Sequence, residues 1–70
     1  MNMRIKQPTA VRERLMKEKR WLTINEIAHG LGMSNHTVSR AMRGLPVRIG
    51  SIMKIAGAID AAAADIATFT

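Results

Sequence analysis

The chain predicts an all-α domain, a compact bundle of five short helices, on three observations. Two consecutive segments, residues 23–30 and 34–43, each open with a hydroxyl residue suited to cap a helix, and a glycine lies in the turn between them. After Pro46, the apolar residues Ile52, Ile55, Ala56 and Ile59 recur on one helical face. Finally, 70 residues hold a single domain with a small core, so short elements are what the length permits.

Met1 to Gln7 shows no sustained periodicity and reads as a flexible basic arm, residues 1–8, carrying Arg4 and Lys6; the domain proper is residues 9–70. Pro8 and Thr9 open the first helix, at about 9–20, because proline is tolerated only in a first helical turn. Val11 and Leu15 supply its apolar positions, and Leu22 continues their spacing. The second helix, 23–30, has a full start signal. Thr23 and Glu26 match a capping box, and Leu22 and Ile27 stand where a hydrophobic staple would. Gly32 ends it, since glycine enters the left-handed region without steric penalty. Ser34 caps the third helix, 34–43, which Gly44 and Pro46 close. Helices four and five are expected at 50–58 and 62–68, the last anchored by Ile66 and Phe69. Two short helices joined by three or four residues with a glycine form a helix-turn-helix.

The third helix divides into two arcs. With Asn35 at zero and about 100° per residue, Ser39, Arg43, His36 and Arg40 fall between about 40° and 140°. Thr37, Ala41, Leu45, Val38 and Met42 fall between about 200° and 340°. One arc packs inward, and the other presents an amide, an imidazole, a hydroxyl and two guanidiniums. Such groups match the base edges of a major groove, where Asn can bond adenine and Arg guanine with two bonds each.

Charge agrees with a polyanionic partner. All eleven Lys and Arg lie between Arg4 and Lys54 with only three Glu, a balance of +8, while the remaining residues hold two Asp and no base, a balance of −2. No acid occurs from Met33 to Ile59. The segment from Thr23 to Gly44 is therefore expected to meet double-stranded DNA. Asn35, His36, Ser39 and Arg40 would read bases. Ser34, Thr37, Arg43, Arg48, Lys54 and the arm residues Arg4 and Lys6 would hold phosphates.

From Leu22 through Gly32 and Ser34 to Ser39, the sequence resembles the core of the phage repressor and Cro superfamily of helix-turn-helix regulators. Residues 51–56, 58–59 and 64–66 are similar to the fourth and fifth helices of those domains, so the resemblance covers about Leu22 to Ile66. It implies a five-helix DNA-binding domain, usually dimeric, that represses transcription at short operators. It also implies a small residue, Ala28, where the two helices cross, the turn glycine Gly32, and DNA contact at Ser34, Asn35, His36, Ser39 and Arg40. The string Thr37-Val38-Ser39-Arg40 also resembles the recognition helix of lac-repressor-type proteins, whose hinge helix and sugar-binding domain would not fit in this chain. Two positions depart from the pattern. Ile24 stands where the family often has a phosphate-binding Gln, and Met42 where an acid often pairs with an arginine of the first helix.

One recognition helix reads too few base pairs to select a site in a genome, so a homodimer on an inverted repeat is expected. The acidic, apolar end around Ile59, Ile66 and Phe69 is the candidate interface. Other readings are a winged helix, with a β-hairpin after Pro46 hinted at by Val47-Arg48-Ile49, an antitoxin of the same fold, and a basic amphipathic peptide on a membrane surface. An enzyme is not expected. The chain has no cysteine, and His29 and His36 lie on different helices with no carboxylate pair to complete a metal site. No cofactor, metal or small-molecule ligand is expected, and a cytoplasmic location on DNA fits the cysteine-free composition. Trp21 is assigned to the core between the first two helices, and the six Met to core filling.

Overall fold

The computed structural model describes all 70 residues, Met1–Thr70. The elements run β1 (Asn2–Ile5), α1 (Pro8–Lys19), α2 (Ile24–Leu31), α3 (Asn35–Met42), β2 (Val47–Arg48), α4 (Ile49–Ala58), α5 (Ala63–Ile66) and β3 (Ala67–Phe69). Five helices stand where five were expected, but a three-stranded antiparallel sheet of order β2-β1-β3 joins them. The fold is therefore mostly helical and not strictly all-α.

The sheet corrects the expectation of a free basic arm. Within β1 the side chains alternate with the period of two that a strand imposes. Asn2 and Arg4 face solvent, while Met3 and Ile5 are 2% and 3% exposed and belong to the core. Both edges of β1 are paired, Met3 with Val47 on one side and with Phe69 on the other. The same pairing shortens the fifth helix. Its expected span of 62–68 ends at Ile66, whose carbonyl accepts from the Lys6 amide at 2.9 Å, and the chain from Ala67 extends along β1.

The helices begin and end on local signals. Pro8 occupies the first position of α1, and Arg20 closes that helix in the left-handed region at φ 59°. The capping box of α2 is complete. The Thr23 hydroxyl accepts from the Glu26 amide at 3.1 Å, and the Glu26 carboxylate accepts from the Thr23 and Leu22 amides, each at 3.1 Å. The staple drawn from Leu22 to Ile27 does not form, because Leu22 is 57% exposed. Gly32 ends α2 at φ 66°, and the Met33 amide reaches back to the Ala28 carbonyl at 2.9 Å. No β-hairpin follows Pro46. Val47 and Arg48 pair with β1 and pass directly into α4, which sets the winged-helix reading aside.

Leu15, Ile27, Val38, Ile52, Ile55 and Ile59 are the largest fully buried side chains, so one core draws on α1 through α4 and on the inward face of the sheet. Val11 and Leu15 give the apolar face of α1 to this core. No helix is long and apolar enough to cross one. Arg14 ties α1 to the end of α4: its guanidinium donates to the Ile59 carbonyl at 2.6 Å and pairs with Glu18 at 2.8 Å. Trp21 is half-buried against the core, its ring laid over Gly30 so closely that a Cβ there would stand 2.2 Å from it.

Candidate nucleic-acid interface

The expected arcs of α3 are present. Val38 and Ala41 have no exposed surface and Met42 and Thr37 are half-buried, while Asn35, His36 and Arg43 are exposed. Ser39 and Arg40 border the two arcs and are half-buried. Ala28 is buried on α2, which packs against α3.

Ser34 fixes the start of α3. Its hydroxyl oxygen accepts from the Thr37 amide at 3.1 Å, and its proton goes to the Thr37 hydroxyl at 2.9 Å. The two hydroxyls assigned to phosphate thus act as a pair, with the Thr37 proton still available to an acceptor. Asn35 is also tied. Its amide nitrogen donates to the side-chain oxygen of Asn25 in α2 at 2.9 Å. Asn25 was not singled out from the sequence, because the partners sit ten residues apart across the turn and no periodic signal links them. The pair orients the Asn35 amide on the exposed side of the motif and links the outer faces of both helices.

Arg40 is held as well. One of its terminal nitrogens donates to the Pro46 carbonyl at 3.1 Å, clipping the end of α3 to the loop before β2. A guanidinium has five N–H donors in a fixed fork, so four remain for another acceptor. The tether turns the group toward a shallow groove lined by His36, Thr37, Arg40, Arg48, Ser51 and Asn2.

Three grooves collect six of the eleven Lys and Arg. Arg40 and Arg48 share the groove just described. Arg48 and Lys54 line a second at the start of α4, with Asn2 and Ser51. Arg4, Lys6 and Arg43 meet in a third, beside Gly44 and Thr68. Arg4 and Lys6 therefore do reach the cationic surface, on a strand and the residue that follows it. The trio Ile59, Ile66 and Phe69 does not make a common surface. Ile59 is 1% exposed and belongs to the monomer core, Ile66 is half-buried, and Phe69 is 56% exposed at the end of β3. His29 and His36 are exposed on separate helices.

Residues 13–70 match the model of the Cro/C1-type HTH DNA-binding domain, a span that takes in most of α1, every later helix, β2 and β3. No curated protein and no solved structure matches the chain. The matched span includes the capped turn of α2 and α3, the inward Val38 and the outward Asn35 and His36, so the chain belongs to the Cro/C1-type helix-turn-helix DNA-binding domain family.

Proposed function

We propose that this protein is a sequence-specific transcriptional repressor of phage or prophage type, acting as a homodimer on an inverted-repeat operator. One observation carries the reading. α3 buries Val38 and Ala41 completely while Asn35, His36 and Arg43 are exposed, in a segment from Met33 to Ile59 that holds no acid. Asn35, His36, Ser39 and Arg40 read base edges, since they occupy the outer arc of the helix that enters the major groove. Ser34, Thr37, Arg43, Arg48 and Lys54 hold the backbone on either side.

The shortness of the motif and the far end of the domain support the dimer. β3 pairs with β1 on one edge only, and Phe69 stands exposed at its end. We place the second copy at this edge; binding an inverted repeat requires the two α3 helices to lie about one turn of DNA apart, roughly 34 Å. Ile66 flanks that edge; Ile59, being buried, is not part of it.

The test is selection of bound sites from a random duplex pool, followed by sedimentation of the protein alone and on the selected site. A palindromic consensus bound two to one is the expected result. Enrichment of no sequence over the starting pool would refute sequence-specific recognition, and a monomer on the selected site would refute the dimer.

A further inference from the structure

The solvent face of the sheet gathers cations from parts of the chain far apart in sequence. β1 turns Asn2 and Arg4 outward. The register sets Asn2 opposite Arg48 of β2 and Arg4 opposite Thr68 of β3, and all four are exposed. Lys6 follows Arg4, and the turn after α3 brings Arg43 into one groove with Arg4, Lys6 and Thr68. Alternation along a strand asks only for polar residues on the outer face, yet cations occupy it and no acid does. Asp65 shares a neighbouring pocket with Lys6 without pairing to it, and the molecule's one ion pair joins Arg14 to Glu18. Cations gathered on one face with no acid among them repel one another. An anionic partner would offset that repulsion.

We propose that the outward face of this sheet is a platform for phosphates, holding the backbone of a DNA duplex where it passes the C-terminal end of α3. The proposal rests on the DNA-binding reading and adds a second surface to it. Continuity selects DNA over an acidic protein. Arg43 belongs both to the exposed arc of α3 and to the groove with Arg4 and Lys6, and Arg48 belongs both to the sheet and to the groove of His36 and Arg40. A duplex seated on α3 carries its own phosphates across these residues. Arg4 sits on a central strand paired on both edges, so its backbone stays fixed while its side chain engages a phosphate. The family match begins at residue 13, so β1 and its cations lie outside it.

The experiment measures affinity for a random-sequence duplex of about 20 base pairs by fluorescence anisotropy between about 50 and 200 mM salt. Arg4→Thr with Lys6→Gln removes two platform cations and keeps a strand-forming residue in β1. Lys17→Gln with Lys19→Gln removes two from the far end of α1, roughly 14–17 Å along the helix from Pro8. The platform pair should lower the slope of log affinity against log salt by about 1.8, so that the wild-type advantage shrinks about twelvefold over that range. The α1 pair should leave the slope unchanged. Thr68→Glu gives an independent check. It sets a carboxylate opposite Arg4, so it should melt no lower than wild type and still bind more weakly. Wild-type slope in the platform variant, equal losses in both pairs, or wild-type binding by Thr68→Glu would overturn the platform and leave the face free for another partner. A wild type with no measurable affinity for duplex DNA would overturn the DNA reading itself, and the platform with it.

Discussion

Gly30 lies within α2 and is exposed, which makes it an attractive site for stabilisation by alanine. Helix propensity alone favours Gly→Ala by about 1 kcal/mol. The structure reverses the sign. A Cβ on Gly30 would stand 2.2, 2.4 and 2.7 Å from three ring atoms of Trp21, where ordinary contact begins near 3.4 Å. The ring must therefore retreat by more than an ångström. Trp21 is half-buried against the core, so the retreat either strains its rotamer or exposes indole surface. Overpacking of this kind costs about 1–3 kcal/mol, and losing part of a large aromatic contact lies in the same range. After the propensity gain, Gly30→Ala should be destabilised by up to about 2 kcal/mol, lowering Tm by up to about 15 °C in a domain of this size. Gly57→Ala is the control, since nothing lies within 4 Å of a Cβ there, and it should raise Tm by a few degrees. Thermal melts followed by circular dichroism give both values. Trp21 is the only tryptophan, so emission reports its surroundings directly and should shift to the red in Gly30→Ala. A Gly30→Ala protein as stable as Gly57→Ala, with unchanged emission, would refute the packing of Trp21 on Gly30.

Deleting Met1 to Ile5 should abolish the cooperative melt, because Met3 and Ile5 together contribute about 3–6 kcal/mol of burial, comparable to the stability of a small domain. A truncated protein that melts like wild type would return these residues to the status of an arm. Arg40→Ala should lower stability by about 1 kcal/mol through loss of the bond to Pro46, and should weaken a preferred operator by a further 1–3 kcal/mol at one base position. Arg43→Ala should weaken all sequences alike and reduce the salt slope by about one unit; binding profiles over single-base variants distinguish the two. A double-mutant cycle of Asn25→Ala and Asn35→Ala, read by operator affinity, should show coupling of about 0.5–3 kcal/mol, and additivity would mean the 2.9 Å bond does not orient Asn35.

What could be read from the sequence divides along the range of the interactions. Thr23 and Glu26, Gly32, and Ser34 act within four residues of themselves, so α2, its turn and α3 could be placed before any tertiary contact was known. The 100° spacing of α3 likewise separates Val38 and Ala41 from Asn35 and His36 without knowledge of what they pack against. The sheet could not be read this way. Asn2-Met3-Arg4-Ile5 does alternate polar and apolar, but over four residues, and its partners lie more than forty and sixty positions away. Ala67 to Phe69 looks like the end of an alanine-rich helix until β1 competes for its backbone. Within the site, the outer residues of α3 were legible, whereas their tethers to Asn25 and to the Pro46 carbonyl depend on a turn and a loop whose paths only the fold determines. Ile59 was misassigned because apolar character alone does not separate a core residue from an interface residue.

The pairing of β1 with β3 has a consequence for how the molecule is made. The Thr70 amide donates to the Asn2 carbonyl at 3.2 Å, so this contact joins residues whose synthesis is separated by nearly the whole 70-residue span. At about 5–20 residues per second, β1 waits about 3–12 s for its partner. Over that interval Met3 and Ile5 lack one flank, and β1 presents an open edge to any extended chain nearby. The capped α2–α3 unit can form long before, since its contacts are local. The nascent domain would thus carry its recognition helix early and its floor late, with the delay set by synthesis rather than by the folding step. A slower stretch of translation just before Ala67 would lengthen the exposure without changing one residue of the product.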